Sequence, residues 1–573
     1  MAAVTSAFSK LNPFSSKTKR THEDDEDDDG EEVDYSTLAG GGHAGRQTEV
    51  TKNQLRVPHA LRSFLVAQHA ISEEVAGLDE PEKLTSEMQA MLERPHISVP
   101  PELTDRSHPL PEYFISSSHN TYLLAHQLYG SSSAAAYENA LKAGARCVEI
   151  DAWDGDDADE PKVTHGYTLT SNIPFRSVCE TIRDVVDQEA REEVDAQGYR
   201  AAPILLSLEN HCDDHGQRRL AAIMREVFGD RLLTKAIREK GHREQEGTGE
   251  HVTLAELQSK ITVMVEYHFP DEPQDSDTDS VSSSDEEEIA ARKDYKAQKQ
   301  SEPVGAGIIV PELKELGIYA QSVKPPSNAW FERGVLDNSP HHPLINVSES
   351  GLQAHLPDQA TAVAKHNANH LMRVYPKGTR ISSRNLKPAP FWGVGAQVCA
   401  MNWQTFGASM QLNEALFSGT DGYVLKPAAL RAGGSGNLDS YKRTRLRLHV
   451  GGASDVPCPE DRREDIKPYL TCTLVHPDDL EGKPPKRKTT PYKQHKLGFM
   501  HKGENPPVVD PVWDEILEWE YQENELVFLR LLVKSDDSFA RNPIYAVGAV
   551  RLLYVPREAQ GEQRWVFVRM LDF

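Results

Sequence analysis

Hydrophobic positions between residues 110 and 265 fall into short β-rich runs separated by longer segments with helical periodicity. The runs are EYFISSS, ARCVEIDAW, APILLSLEN and KITVMVEY, and the helical segments are SAAAYENALKAG, FRSVCETIRDVVDQEA and GQRRLAAIMREVF. Near-continuous apolar runs that alternate with amphipathic helices are typical of a parallel sheet covered on both faces. This part of the chain, residues 108–267, is therefore predicted to consist of repeated βα units.

The same pattern returns over residues 304–432, in the runs LGIYAQSV, HLMRVYP, AQVCAMNWQ and GYVLKP. A polar segment, residues 268–303, separates the two stretches. One α/β barrel that takes strands from both stretches explains the pattern better than two sheets, because each of two sheets would need its own core. We therefore predict a single barrel that is interrupted by a linker.

Beyond about residue 442 the pattern changes to strands with turn residues between them and no helical period. The runs are TRLRLHV, KPYLTCTLV, DEILEWEY, ELVFLRLLV, AVGAVRLL and RWVFVRML. Strands without intervening helices are typical of a β-sandwich. We assign residues 433–573 to this all-β domain and residues 56–107 to a short helical region, for which an EF-hand-like remnant is one interpretation.

Negative charge is concentrated in two tracts. The chain has 573 residues, with 63 Lys and Arg against 88 Asp and Glu, and a formal net charge of −25. Residues 22–34 contain ten acids and residues 271–288 contain nine, with no Lys or Arg in either tract. Such segments cannot bury enough apolar surface to offset the entropy of ordering. Residues 1–55 are therefore predicted to be a disordered tail, and residues 268–303 a disordered linker.

The composition excludes some classes of function. An acidic chain lacks the basic face that nucleic-acid binding needs, and no run of about 18 apolar residues is available to span a membrane. Any membrane contact is therefore expected to be peripheral. The first residues form no apolar signal segment, and the six cysteines lack the spacing of a metal site or disulfide framework, which predicts a cytoplasmic protein.

Polar side chains cluster in four places where strands of the first half are predicted to end. Glu149 and Asp151 are two residues apart on one strand, so both side chains point to the same face. Together with Glu209 and the amide oxygen of Asn120 they make an all-oxygen set that suits calcium, whereas zinc favours His or Cys. His119 and His165 could supply a general acid and base beside such an ion. Taken singly, each of these side chains could instead be structural, as a bonded histidine or a salt-bridged carboxylate.

These clusters carry a resemblance to a known family, the eukaryotic phosphoinositide-specific phospholipases C. The first half resembles the family's X region in FISSSHNTYL (114–123), CVEIDAWDG (147–155), THGYTLTS (164–171) and LSLENHC (206–212). The second half resembles its Y region in IYAQSVK (318–324), HLMRVYPKGTRISSRNLKP (370–388), FWGVGAQVCAMNWQT (391–405) and DGYVLKP (421–427). More loosely, the C-terminal strands resemble the C2 domain that follows the barrel in this family.

The resemblance implies a split TIM (β/α)8 barrel, one Ca²⁺ ion and a two-step cleavage of phosphoinositides. It makes His119 the acid that protonates the glyceryl oxygen and then the base that activates water, and His165 a stabiliser of the pentacoordinate phosphate. Asn120, Glu149, Asp151 and Glu209 carry over as metal ligands, with Glu149 or Glu209 as the base for the inositol 2-hydroxyl. Ser322 and Arg373 match positions that hold the phosphate at C4, and Tyr375 matches the aromatic that packs on the inositol ring. For Arg373, a structural ion pair is the alternative.

Two departures from the family pattern bear on function. The strand KITVMVEY places Met264 and Glu266 where the family carries a Lys-x-Lys pair, which puts a preference for the bisphosphorylated lipid in doubt. Lys260 or a loop lysine could substitute, the enzyme could favour less phosphorylated lipids, or its activity could be low. In the C2-like domain, Lys467, Ser535 and Pro543 stand where aspartates are expected, so calcium binding there is not predicted.

The expected partner is a phosphoinositide lipid at the inner leaflet, contacted transiently by a cytoplasmic protein. Leu128 and Leu169 are candidate membrane-dipping residues, and the basic run 483–496 is either a lipid contact or a solvated loop. With about 107 residues before the barrel, no pleckstrin-like domain is expected. The acidic linker is either an autoinhibitory lid or an inert tether. The rival functions are a catalytically weak or inactive membrane-binding scaffold and a phosphodiesterase for soluble inositol phosphates.

Overall fold

The computed structural model describes most of the chain between residues 56 and 572. Segments outside the description are 1–55, 81–82, 125–130, 167–169, 193, 195–197, 200, 239–251, 268–308, 325–326, 333–335, 337–341, 377–383, 459–461, 463–464, 481–482, 496–503, 537–541, 556–564, 567, 569 and 573. The predicted acidic tail, the acidic linker and the candidate membrane residues Leu128 and Leu169 therefore lie outside the described residues.

Strands from both stretches of the chain form the first domain. In chain order they are β1 (Tyr113–Ile115), β2 (Cys147–Trp153), β3 (Lys162–Val163), β4 (Ile173–Pro174), β5 (Ile204–His211), β6 (Ile261–Tyr267), β7 (Gln321–Val323), β8 (Pro343–Ser348), β9 (Met372–Tyr375), β10 (Val398–Cys399) and β11 (Tyr423–Leu425). Eight of them are parallel neighbours in the order β1-β10-β9-β8-β7-β6-β5-β2. A parallel bridge between Ser117 and Cys147 joins β2 back to β1, which closes the barrel. The prediction of one barrel built from two stretches is confirmed.

Helices cover the outside of the barrel and precede it. They are α1 (His59–Ala67), α2 (Glu73–Ala76), α3 (Ser86–Glu93), α4 (Ala135–Lys142), α5 (Phe175–Glu189), α6 (Asp214–Phe228), α7 (Leu254–Leu257), α8 (Pro311–Lys314), α9 (Glu349–Gln353), α10 (Ala360–Asn367), α11 (Pro388–Gly393) and α12 (Ala408–Phe417). The three predicted barrel helices are found as α4, α5 and α6. Helix α6 illustrates the local causes: Asp213 caps its first turn by accepting from the Gly216 N–H at 2.9 Å, and Gly229 ends it with φ of +48°.

Two strand predictions for the barrel need correction. Strand β8 was not predicted, because its apolar positions are few and are interrupted by Asn346 within a stretch rich in proline and histidine. The run GYVLKP was counted with the βα repeats, but it forms β11, which pairs antiparallel with β1 and lies outside the parallel barrel order. Periodicity alone cannot distinguish these cases, because pairing direction depends on contacts that are distant in sequence.

The C-terminal domain consists of two antiparallel sheets. Its strands are β12 (Arg443–Gly452), β13 (Pro468–Val475), β14 (Lys486–Lys488), β15 (Val512–Gln522), β16 (Phe528–Ser535), β17 (Ile544–Arg551) and β18 (Leu571–Asp572). Strands β12 and β15 form one sheet, and the other has the order β14-β13-β16-β17-β18. Buried Trp513 and Trp519 belong to the core between them. The β-sandwich prediction is confirmed, while part of the basic run forms edge strand β14 rather than only a loop.

The sandwich packs directly against both the barrel and the N-terminal helices. Arg530 of β16 donates to the Gln411 side chain of α12 at 2.6 Å, in a buried contact. Phe64 of α1 makes edge-to-face contacts with His449 and Trp565 of the sandwich domain, at centroid distances of 5.7 and 5.3 Å. These contacts join the sandwich to the barrel on one side and to helix α1 on the other.

Candidate active site

Three carboxylates converge at the mouth of the barrel. Glu149 and Asp151 lie on β2 and are almost fully buried, and Glu209 lies on the neighbouring strand β5, in register with Asp151. One oxygen from each of the three lies within 4.8 Å of the others. Side chains two apart on a strand, and side chains in register on adjacent strands, share a face. The β-strand geometry therefore assembles a group that could hold a metal ion, which we call the carboxylate cage.

A tight turn after β1 brings Asn120 to this cage. Asn120 has a left-handed backbone with φ of +46°, a conformation that asparagine tolerates better than most residues. Its backbone N–H donates to Glu149 Oε2 at 2.8 Å. The Tyr122 hydroxyl donates to Asp151 Oδ2 at 2.6 Å and lies 3.3 Å from Asn120 Oδ1. Tyr122 was not predicted as a site residue, although it follows Asn120 by two positions in the same motif.

The three carboxylates differ in their affinity for protons. Burial alone would raise the pKa of Glu149, but the Arg373 guanidinium, His119 and the Asn120 N–H together hold it below its usual value. Burial raises the pKa of Asp151, and the Glu149 charge raises it further. The pKa of Glu209 is raised by the same two causes and by Asp151. Three carboxylates this close repel one another, so a divalent cation among them would be strongly favoured.

Arg373 of β9 lies inside this arrangement. Its guanidinium is ion-paired with Glu149 and donates to Asn346 Oδ1 at 3.2 Å, and it lies 3.9 Å from Glu209 Oε1. Both members of the Arg373–Glu149 pair are at most 2 % exposed. The structure thus places Arg373 in a buried ion pair, the alternative that the sequence left open.

Replacing Arg373 by methionine in the Ca²⁺-free protein is expected to lower the free energy of unfolding by about 3–5 kcal/mol, because Glu149 would keep a buried charge without its partner. Urea denaturation in chelator measures this change. The matched control is Arg445→Met, since Arg445 and its partner Glu518 lie on the surface of the sandwich, and it should leave the midpoint unchanged. Equal midpoints for both variants would contradict the expectation.

His119 is held in one orientation by residues from the other half of the chain. Its backbone N–H donates to the Met401 carbonyl at 2.7 Å, and its Nδ1 lies 2.9 Å from Asn402 Oδ1. Because Asn402 donates through its Nδ2 to the Arg384 carbonyl, its Oδ1 accepts, and the neutral imidazole carries its proton on Nδ1. His119 Nε2 then presents its lone pair toward the cage, 3.9 Å from Glu149 Oε2. Burial lowers the pKa of His119.

Asn402 was missed by sequence reasoning. The signal was present, since Asn402 follows strand β10 within the motif FWGVGAQVCAMNWQT. An amide in that position could equally well have been part of a turn. Only the closure of the barrel shows that it contacts His119.

His165 follows strand β3 beside a packed aromatic pair. Its charge is one of the smaller causes, after burial, that lower the pKa of His119, so the two imidazoles are close enough to interact electrostatically. Next to it, a Cβ on Gly166 would lie 1.9 Å from the Trp153 ring, and that ring stacks on His211 with a centroid distance of 4.1 Å. Trp153 and His211, neither of which was predicted as a site residue, thus pack against the glycine that follows His165 and form what we call the aromatic wall.

The two remaining predicted residues lie at the side of the cage. The Tyr375 ring, at the end of β9, lies 5.7 Å from the Arg373 guanidinium. Ser322 is on β7, where it is in register with Glu266 of β6. The structure therefore brings Arg373 into the cage itself and Tyr375 next to Arg373, whereas Ser322 lies on the second strand beyond the cage.

The sandwich loops do not form a second acidic cluster among the residues that the structure describes. The Lys467 N–H donates to the Ser535 hydroxyl at 2.9 Å, and the Ser535 N–H donates to the Pro543 carbonyl at 3.1 Å. The three positions where aspartates were expected thus bond to one another. Asp537 lies outside the described residues, and across the described ranges only Glu149, Asp151 and Glu209 group as a candidate metal site.

Comparison with known proteins decides the family. The signature of "Phosphatidylinositol-specific phospholipase C, X domain" matches residues 106–267, and the signature of the corresponding Y domain matches residues 313–429. The chain belongs to the phosphatidylinositol-specific phospholipase C family. The two matched regions together contain every one of the predicted site residues.

Relatives within the phospholipase C family are identical to this chain at about a third of the aligned positions. A 1-phosphatidylinositol 4,5-bisphosphate phosphodiesterase of Dictyostelium discoideum is 31 % identical over 78 % of this chain and 56 % of its own length. The delta-3 enzyme of Homo sapiens is 32 % identical over 80 % of this chain and 54 % of its own length. The chain thus spans about half the length of these relatives.

The fold matches a solved phospholipase C. The crystal structure of S. officinalis PLC21 superposes with a TM-score of 0.62 and 23 % identity, covering 91 % of this chain and 62 % of that one. This likeness supports the split TIM barrel and the C2-type sandwich. Among the helices that the structure describes, none is long and apolar enough to cross a membrane.

Proposed function

We propose that this protein is a Ca²⁺-dependent phosphoinositide phospholipase C that yields diacylglycerol and inositol phosphates through a cyclic phosphodiester. The observation that carries the proposal is the convergence of His119 and Asn120 with the cage carboxylates at one barrel mouth. In the first step the inositol 2-hydroxyl oxygen bonds to phosphorus and the bond from phosphorus to the glyceryl oxygen breaks. In the second step water opens the cyclic phosphate.

The donor set fits a calcium ion. All four candidate ligands offer oxygen: Asn120, Glu149, Asp151 and Glu209. Asp151 Oδ1 is buried without a hydrogen-bond partner in the structure, although its other oxygen is bonded to Tyr122. A buried carboxylate oxygen of this kind is well satisfied as a ligand. When bound, Ca²⁺ would lower the pKa of the 2-hydroxyl and compensate charge on the phosphate.

His119, as the imidazolium, is proposed to donate a proton to the glyceryl oxygen as that oxygen leaves. Its Nε2 points to the cage, and burial favours release of a proton from the imidazolium. After that transfer the neutral imidazole, held through Nδ1 by Asn402, has its Nε2 lone pair free to accept a proton from water. Asn402 acts as a positioning residue, because it fixes the tautomer and the ring plane.

The other residues are proposed to bind the head group. His165, whose charge acts on His119, would stabilise the pentacoordinate phosphate. Glu149 or Glu209, both members of the cage, would accept the proton of the 2-hydroxyl. Tyr375 offers a ring face to the apolar side of inositol, and Arg373 with Ser322 would bind a ring hydroxyl or a phosphate in its place. The substrate is proposed to be reached at a membrane surface, with the sandwich as the peripheral contact.

The proposal is tested by incubating the protein with phosphatidylinositol vesicles in calcium and in chelator. We expect diacylglycerol and a transient cyclic inositol phosphate to form only in calcium. Phosphorus NMR monitors the cyclic intermediate. Activity that survives chelation, or a product that never passes through the cyclic phosphate, would contradict the mechanism.

Replacing Gly166 by alanine is expected to lower hydrolysis by roughly 10²-fold, because a displacement of about 1 Å at a reacting group has effects of that size. The new Cβ would overlap the Trp153 ring and push the His165 segment from the mouth. Initial rates on phosphatidylinositol vesicles measure the change. The matched control is Gly548→Ala in the sandwich, where the nearest atom to the new Cβ is 3.5 Å away. Comparable rates for both variants would contradict the role assigned to the packing of Gly166 on Trp153.

A further inference from the structure

A fourth carboxylate, that of Glu266, lies level with the cage on the neighbouring strand β6. Asp151 is in register with Glu209. Ser207 is in register with Met264, so two residues further along β5 and β6 Glu209 lies level with Glu266. Residues in register on neighbouring parallel strands face the same side of the sheet. Glu266 therefore faces the barrel mouth one strand beyond the cage.

Electrostatics support this placement. Burial raises the pKa of Asp151, the Glu149 charge adds to the effect, and the Glu266 charge is a further cause in the same direction. Glu266 is half-buried, and Met264, one step deeper on the same face, is buried. The wall of the mouth on β6 is thus apolar below and carries a carboxylate above.

An inositol ring bound at the cage would extend over this wall. Neighbouring strands are about 4.8 Å apart, which is comparable to the width of the ring. With the scissile phosphate at the cage, the far side of the ring would lie over Glu266 and Ser322, which are in register. A phosphate at that side would meet a carboxylate at close range, which is unfavourable.

Lys260, just before the same strand, does not take the place of the missing Lys-x-Lys pair. Lys260 lies before the first residue of β6, at the end opposite to the mouth, and its Nζ donates to the Asp230 carbonyl at 2.6 Å. The alternative in which Lys260 binds a ring phosphate is therefore wrong. Lys324, exposed just after β7, is the described lysine that follows Ser322 at the mouth end.

We propose that Glu266 is a specificity-determining residue that makes this chain select phosphatidylinositol over its 4,5-bisphosphate. The proposal rests on the proposed function, and it differs from what the names of the relatives state for those proteins. It follows from a charge fixed on β6 beside the site of cleavage, and not from loss of the cage or of His119.

The test compares kcat/KM on vesicles of equal surface charge that contain either phosphatidylinositol or its 4,5-bisphosphate. We expect the wild type to favour phosphatidylinositol. Glu266→Gln should shift the ratio toward the bisphosphate by about threefold or more and Glu266→Lys by about tenfold or more, since a repulsion is removed and then reversed. The matched control is Glu226→Lys on the outer face of α6, which makes the same charge change at a side chain that is 67 % exposed.

Equilibrium binding of the soluble head groups separates this proposal from the proposed function. Calorimetry with glycerophosphoinositol and its 4,5-bisphosphate, in calcium, should give the same order of preference and the same reversal in Glu266→Lys. If the head groups bind with this preference but no lipid is hydrolysed, the proposed function is refuted and the role of Glu266 stands. A wild type that prefers the bisphosphate, through Lys324 or otherwise, or a Glu266→Lys shift no larger than that of Glu226→Lys, would overturn the specificity proposal.

Discussion

Replacing His119 by alanine is expected to reduce the hydrolysis of phosphatidylinositol by about 10²–10⁴-fold, the range for loss of a general acid and base. The structure gives the reason, since His119 Nε2 is the imidazole nitrogen that points to the cage while Nδ1 is held by Asn402. The glyceryl oxygen would then have to leave without a positioned proton donor. Initial rates on vesicles at saturating calcium measure the loss.

Two further variants separate this role from a structural one. His215→Ala removes an imidazole whose side chain is 57 % exposed on α6 and should leave the rate unchanged. Asn402→Ala keeps the imidazole but releases its orientation, so we expect an intermediate loss in kcat and an altered pH profile. Circular dichroism confirms the fold of each. A fall of similar size in His215→Ala, or full activity in folded His119→Ala, would contradict the assignment.

Replacing Asp151 by asparagine is expected to remove the response of the protein to calcium. For the wild type, a ligand at a concentration of 100 Kd stabilises the folded state by about 2.7 kcal/mol, so the melting temperature should rise with added Ca²⁺. Asn at position 151 removes one negative ligand from the cage and should abolish most of that rise. Hydrolysis should fall by about 10²-fold or more, because several kcal/mol of charge stabilisation are lost.

The matched control for this variant is Asp536→Asn in the loop of the sandwich. Asp536 is described, and its N–H donates to the Lys467 carbonyl at 3.0 Å. If the cage is the calcium site, Asp536→Asn keeps the thermal response and the activity. If instead Asp536→Asn loses the response and Asp151→Asn keeps it, calcium binds in the sandwich and the cage has another role.

Several elements of the site could be predicted from the sequence because they depend on local geometry. Glu149 and Asp151 share a face because they are two apart on a strand, whatever the rest of the chain does. Polar side chains at strand ends mark the mouth of a barrel in the same way. The spacing of the apolar runs also distinguished the barrel from the sandwich, although it missed strand β8, whose few apolar positions are interrupted by Asn346.

The family motifs, the two architectures and the candidate ligands were thus determined by the sequence itself. Tertiary structure alone decided that Asn402, 283 residues after His119, orients that imidazole, and that Arg373 pairs with Glu149. Tertiary structure also decided that Glu266 lies level with the cage carboxylates. The physical reason is that backbone periodicity is set by near neighbours, whereas these contacts depend on the order and register in which distant strands close the barrel.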